Sequence, residues 1–319
     1  MLKKGVPPTT VQYLDDFCCV AASEQQAQQA LTLMVHTAEE AGFMVQPQKT
    51  LGPYRSVEFL GIYINTVHGT LSISPDKMDD IRKELHDWYI KHKCTKRQLL
   101  SLIGRLNFCS RVIRFGRLFM RRLIDLSKKA RNLHHVIKLS HQAKKDIKWW
   151  MLSVDSHNGV SWLDDGWNHN KSVPLQTDAS NLAAGAIFGA HWAVVQFSGV
   201  NEWMVNRTIA WRELYAIVMG IATFGHYMSN QYVSMYTDNQ AIQACINSGV
   251  CKDPQIMCLI RALYYYVVKY NIRYRAFYVS THMNGPADSI SRNEFNRFKT
   301  LCPLADLEPT LVGHVITDF

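Results

Sequence analysis

The 319-residue chain has no run of about 18 apolar residues, so a membrane-spanning helix is not expected. Its opening, MLKKGVPP, lacks the apolar stretch of a secretory signal. Eight cysteines stand at 18, 19, 94, 109, 245, 251, 258 and 302, and none forms a C-x-x-C pair. Neither a zinc ribbon nor a disulfide framework is suggested, and an intracellular setting, cytoplasm or nucleus, is expected. No internal repeat or low-complexity tract is present. Acidic residues are scarce in one stretch: Lys77 to Lys148 holds twenty Lys and Arg but six Asp and Glu, while the rest holds fifteen against twenty. The net charge of +9 therefore comes from one segment, which could follow a phosphate backbone or simply form a solvated helix surface. His134, His135 and His141 lie in that segment without a nearby cysteine or carboxylate, so no metal is expected there.

What is present is enough apolar residue, 47%, for real cores, and length for two domains or so of about 100–200 residues each. "VQYLDDFCCVAA" reads as strand, turn and strand, with Asp15 and Asp16 at the tip. A second LDD, Leu163 to Asp165, is followed by glycine and reads as an ordinary turn. Ala27, Ala30, Leu31, Met34, Val35 and Ala38 lie on one face of a helix that should end at Gly42. Strands are expected near Phe43–Val45, Val57–Asn65 and Leu71–Ile73. Ser74-Pro75 starts a helix, with the serine as cap. From there to about 154 the pattern is helical throughout, and Arg114, Arg117 and Arg121 form a row at i, i+3 and i+7. The aromatics of this segment, including Trp88, Trp149, Trp150 and Phe119, are expected in its core rather than stacked on bases. Residues 156–172 are rich in Gly, Asn, Asp and Ser and read as a linker.

From 173 to 292 strands and helices mix. Strands are expected at Val173–Asp178, Leu182–Phe188, His191–Phe197, Tyr232–Asp238 and from Ile272 to Tyr278, with helices around Trp211–Ala222, Ile242–Ile246, Ile256–Val267 and from Pro286. The tail from 293 shows no clear pattern. Four acids stand at telling places: Asp178 in the first strand, in QTDAS, and three at strand ends or helix starts, Glu213 in WRELYA, Asp238 in YTDNQA and Asp288 in GPADSISR. Each alone could be a turn residue, a helix-start charge or an N-cap. Four in one cleft are tolerable only with a neutralising ion. Hard divalent cations, magnesium above all, suit oxygen ligands, and two of them can support phosphodiester cleavage.

These stretches resemble a known arrangement. "LQTDAS…AGAIF", "WRELYAI", "YTDNQAI" and "GPADSISR" resemble the RNase H domain fused to reverse transcriptases of retrotransposons. "YLDDF", "AGFMVQPQKT" and "EFLGIYI" resemble the end of a reverse transcriptase palm. "LLSLIGRLNFCSRVIRFGRLFMRRLIDL" is most similar to the thumb and connection of DIRS-type elements. The seven motifs run in the family's order from about residue 2 to 292.

The resemblance implies an α/β multidomain protein: a partial α+β palm over 1–73, a basic helical thumb and connection over 74–155, a linker over 156–172, an RNase H-like α/β domain with a mixed five-stranded sheet over 173–292, and a tail over 293–319. It implies that Asp178, Glu213, Asp238 and Asp288 hold two magnesium or manganese ions and cut the RNA strand of RNA–DNA hybrids. Asp15 would be a polymerase metal ligand with Asp16 beside it. Lys49 would match the lysine after the palm helix, and Phe59-Leu60-Gly61 would sit at the primer grip. Arg105, Arg111, Arg114, Arg117, Arg121 and Arg122 are the expected phosphate contacts, without sequence preference.

Two departures stand out. The family supplies a further aspartate from an earlier palm strand, and this chain starts 14 residues before Asp15. An N-terminally truncated enzyme that does not extend a primer on an RNA template is therefore expected. The family's histidine lies about ten positions before its last aspartate, whereas His282 stands only six before Asp288. Its reach to the scissile phosphate is in doubt, and losing a general acid typically costs about 10²–10⁴-fold. The expected activity is that of a nuclease. The alternatives are a fragment of a complete RNA-directed DNA polymerase and a non-catalytic remnant that only binds hybrid.

Overall fold

The computed structural model describes residues 9–162, 167 and 169–316. The chain opens with the expected hairpin, β1 (Thr9–Tyr13) and β2 (Asp16–Val20). Tyr13 pairs with Asp16, so Leu14 and Asp15 alone make the turn. The second LDD lies outside the described residues. Helix α1 (Glu24–Glu40) begins where Ser23 accepts a bond from the Gln26 amide at 3.3 Å. Its six apolar positions are half-buried as a stripe, yet none of its residues is fully buried. Gly42 follows it at φ +86°, a conformation costly for a residue with a Cβ.

Two expected strands are corrected. Phe43–Val45 is not a strand, and Phe43 and Met44 are exposed. Val57–Asn65 is a hairpin, β3 (Ser56–Phe59) and β4 (Ile62–Asn65), because Leu60 and Gly61 at φ +53° and +79° form a two-residue turn. The apolar run EFLGIYI hid that turn. Strand β5 (Thr70–Ile73) pairs with β4.

Helix α2 (Pro75–Ile90) starts at the expected proline, but Ser74 makes no side-chain cap. Its stripe of Met78, Ile81, Leu85 and Trp88 is buried. The segment that follows is not helical throughout. Strand β6 (Lys93–Thr95) precedes α3 (Lys96–Cys109), which carries a Thr95/Gln98 capping box. Residues 110–117 are turns, and α4 (Arg121–Lys128) follows a 3₁₀ turn. The arginine row therefore does not lie on one helix. Phe115 at φ +62° breaks it, and a Cβ at Gly116 would stand 2.4 Å from the Trp150 ring. Packing against Trp150, whose Nε1 donates to Phe119 O at 3.2 Å, outweighs helical propensity here. Strand β7 (Val136–Lys138) pairs with β6, and α5 (His141–His157) completes the segment. The expected linker contributes β8 (Ser161–Trp162), which pairs with β5 and makes a four-stranded sheet.

The last part is built on a five-stranded sheet. Its strands are β9 (Ser172–Ala179), β10 (Ala183–Phe188), β11 (His191–Gln196), β12 (Tyr232–Thr237) and β13 (Arg273–Tyr278). Helix α6 (Ile209–Phe224) lies between β11 and β12 in the chain; α7 (Gln240–Ser248) and α8 (Pro254–Lys269) lie between β12 and β13. The spatial order is β11-β10-β9-β12-β13, antiparallel up to β9 and parallel beyond it. The mixed sheet is the one expected. Helix α9 (Gly285–Ser291) covers the face opposite α6: Gly220 of α6 faces Ala186, and Gly185, next along β10, faces Ile290.

The tail as far as it is described, residues 293–316, carries a helix and packs on the sheet, against the reading of no pattern. Helix α10 (Phe295–Leu301) buries Phe298 with Ile187, Trp192 and Ile290. Beyond it, the Asp306 and Thr310 amides donate to Ala190 O and Trp192 O at 2.9 and 2.8 Å, covering the β11 edge. Trp149 and Trp150 share one hydrophobic core with residues of α6 and α8.

Candidate active site

Parallel pairing brings two of the four acids together. Gln176 of β9 and Tyr236 of β12 are register partners, so Asp178, near the end of β9, and Asp238, just past β12, stand at the same end of adjacent strands. Asp238 is not a cap. Asn239 caps α7 instead, accepting from the Ala241 and Ile242 amides. Glu213 is the fifth residue of α6 and so belongs to its second turn, not the first, which corrects its reading as a helix-start charge. Asp288 sits inside α9, whose N-cap position is Asn284.

Helix α9 is fastened to β9 by polar contacts. The Ser291 hydroxyl donates to the Asp178 carboxylate, Ser180 Oγ to Ser291 O at 2.6 Å, and Asn284 Nδ2 to Thr177 O at 2.9 Å. Arg212, buried on α6, donates to Ser180 O at 2.9 Å and Asn181 Oδ1 at 2.7 Å, which locks α6 to the turn after β9. Arg212 and Ser291 were not singled out from sequence. An arginine beside the acid of WRELYA, in an otherwise apolar helix, was the available signal, but nothing in the chain said what it faced.

The electrostatics show one cluster. Burial pushes the Asp178 carboxyl up; the Ser291 hydroxyl opposes this, and Asp238 and Asp288 add to it. Burial pushes Glu213 up to about 7, opposed by an Asn239 hydrogen bond and reinforced by Asp238 and Asp178. Glu213 Oε2 is buried without a hydrogen-bond partner. A buried carboxylate oxygen left unpaired is costly.

Among the described residues, no three His, Cys, Asp or Glu side chains are closed around one point. Like charges keep apart without a counter-ion. Asp288 has found other cations: Arg292 Nε at 2.6 Å and Arg297 Nη1 at 3.1 Å. The donor set is nonetheless made of hard oxygens, and the orphaned Glu213 oxygen is one an ion would satisfy. The residues fit a divalent cation such as magnesium.

The His282 side chain lies outside the described residues, and its backbone is in the 3₁₀ turn Thr281–Asn284. Asp15 and Asp16 are exposed at the hairpin tip, where Leu14 holds φ +52°, unusual for a bulky residue. Lys49 is exposed at the end of the 3₁₀ turn Pro47–Lys49.

The six arginines divide. Arg111 and Arg117 are exposed. Arg105 pairs with Glu84 at 3.0 Å and Arg121 with Asp125 at 3.4 Å, both in contact with water. Arg114 lies 5.2 Å over the Phe115 ring. Arg122 departs from expectation: it is largely covered and turned to Asp146, which is 0% exposed. Asp146 also takes Arg261 of α8 at 2.5 Å. A buried carboxylate needs such partners, so Arg122 is committed to the interior.

Residues 168–266 match the family model of the RNase H-like domain found in reverse transcriptase. No curated protein matches the chain. Among solved structures, similarity is found to a foamy viral protease-reverse transcriptase in complex with double-stranded DNA: 15% identity, TM-score 0.41, covering 85% of this chain and 46% of that one. It is also found to foamy viral protease-reverse transcriptase in complex with an RNA/DNA hybrid, at 15% identity and TM-score 0.38, covering 84% and 35%. A third, with double-stranded DNA, has 16% identity and TM-score 0.39, covering 86% and 55%. The chain thus spans between about a third and a little over half of the length of these proteins.

Proposed function

Since residues 168–266 are an RNase H-like domain of the reverse-transcriptase kind, we propose that the chain is a divalent-metal-dependent nuclease that cuts the RNA strand of RNA–DNA hybrids. One observation carries this reading. Asp178 and Asp238 stand at the same end of adjacent strands and both add to burial in raising the carboxyl of Glu213 on α6, whose Oε2 is buried and unpartnered.

Asp178, Glu213, Asp238 and Asp288 would hold the ions. Two bound magnesium ions, or manganese, would supply Lewis-acid chemistry, activating a water and neutralising charge on the leaving oxygen. The chain's own part is to place and orient. Ser291 holds the Asp178 carboxylate from one side. Arg212 fixes α6, and with it Glu213, against the turn after β9. In-line attack by water would leave a 3′-hydroxyl and a 5′-phosphate. Exposed Arg111 and Arg117, with Arg105, Arg114 and Arg121, would follow the hybrid's phosphates, so binding should weaken steeply with salt. In this reading residues 1–73 act as a palm piece, 74–155 as thumb and connection, and 173–292 as the nuclease.

The test uses labelled hybrid with magnesium. Wild type should cleave the RNA strand, and Asp178→Asn should bind the hybrid but cleave at least about 10²-fold more slowly. Binding without cleavage by wild type would make the chain a binding remnant. Cleavage that survives the substitution would remove the site assignment.

A further inference from the structure

Both carboxylate oxygens of Asp288 are taken by cations of the same chain. Arg292, one turn along α9, donates from Nε to Oδ1 at 2.6 Å. Arg297, on α10, donates from Nη1 to Oδ2 at 3.1 Å and also reaches Glu294 at 2.9 Å. The burial is one-sided. The Asp288 side chain is 10% exposed, whereas those of Arg292 and Arg297 are 53% and 51% exposed. The guanidinium groups can swing into water at little cost, because exposed ion pairs are weak and their hydration is recovered. The carboxylate has no such freedom.

We propose that Arg292 and Arg297 form a displaceable counter-ion clamp on Asp288, which a divalent cation must exchange before Asp288 can serve as its ligand. The inference rests on the metal-site reading above. The exchange is close to charge-neutral: two guanidinium groups leave and one doubly charged ion enters. In the clamped form both Asp288 carboxylate oxygens already have cationic partners, so the side chain needs no ion. The ion that depends on Asp288 would therefore bind more weakly than one held by Asp178, Glu213 and Asp238. The competing account is a plain staple, in which the two arginines only fasten α10 to α9.

Calorimetric titration of the full chain with manganese, without nucleic acid, separates the two. Wild type should show a tighter and a weaker class of site, and Asp288→Asn should lose the weaker. The double variant Arg292→Gln/Arg297→Gln should tighten the weaker class about three- to tenfold, the size of two exposed charge-assisted pairs, and leave the tighter class unchanged. Arg292→Lys, which keeps the charge without the fork, should fall between. An unchanged or weakened constant in the double variant overturns the clamp, and a lowered metal-free melting temperature alongside it identifies the staple. If two classes persist while the clamp fails, the metal-site reading stands. If wild type binds no manganese, both fall.

Discussion

Glu213 shows how one residue can be poor for the fold and good for the site. Its carboxyl is raised from 4.5 to about 7, first by burial and then by Asp238 and Asp178. Below the ordinary value it is protonated in folded and unfolded chains alike, and the fold suffers no penalty. As pH rises through about 7 the folded chain must ionise it, and stability is lost. Metal-free Glu213→Gln should therefore be more stable than wild type at about pH 8, by on the order of 1–2 kcal/mol after discounting for its partial contact with water. At about pH 4 the two should melt alike, since the carboxyl is then neutral in both states. Magnesium should raise the wild-type melting temperature at the higher pH and leave that of the variant nearly unmoved. Equal melting curves at both pH values would show that the carboxylate is not strained.

At the scale of elements, the seating of α9 on β10 decides whether Asp288 and Ser291 reach Asp178. Gly185 is the contact point. A Cβ there would stand 2.7 Å from Ile290 Cγ2, 2.8 Å from Ile290 Cβ and 3.0 Å from Ser291 N. None of these three atoms is the far end of a flexible side chain, so α9 itself must shift. Gly185→Ala should cost about 1–3 kcal/mol in chemical denaturation. It should also lower hybrid cleavage while leaving hybrid binding through the basic segment within about twofold, because a displaced α9 moves Ser291 off Asp178 and leaves the arginines untouched. Unchanged cleavage would mean that the α9 contact does not position the acids.

The whole molecule is joined across the segment that composition marks as a linker. Asp146 of α5, fully buried, holds Arg122 and Arg261, and Arg261 Nη2 donates to Leu118 O at 3.1 Å. Phe115 stacks on Tyr264 at 4.4 Å, and His157 Nε2 lies 2.6 Å from Val268 O. The basic helices and the five-stranded sheet are thus expected to unfold together. Asp146→Ala leaves two covered guanidinium groups without their partner and should cost about 3–5 kcal/mol. Urea unfolding followed by tryptophan fluorescence and by far-ultraviolet dichroism should give coincident curves in wild type. Two separate transitions would show that the halves are held only by the chain.

Periodicity and local chemistry carried much of this structure by themselves. The stripes of α2 and α8, the strand pattern from β9 to β13, the proline start of α2 and the glycine after α1 are all legible because each depends on neighbours along the chain. So is the presence of four acids at telling places, with the family resemblance that their motifs carry. Only the tertiary structure decided the rest. The parallel pairing of β9 with β12 set Asp178 beside Asp238, and the Trp150 ring against Gly116 broke the arginine row into turns. It also turned Arg122 inward and placed two arginines on Asp288. Those outcomes depend on which residues distant in sequence meet, and on whether water or a counter-charge waits there, which no local pattern encodes.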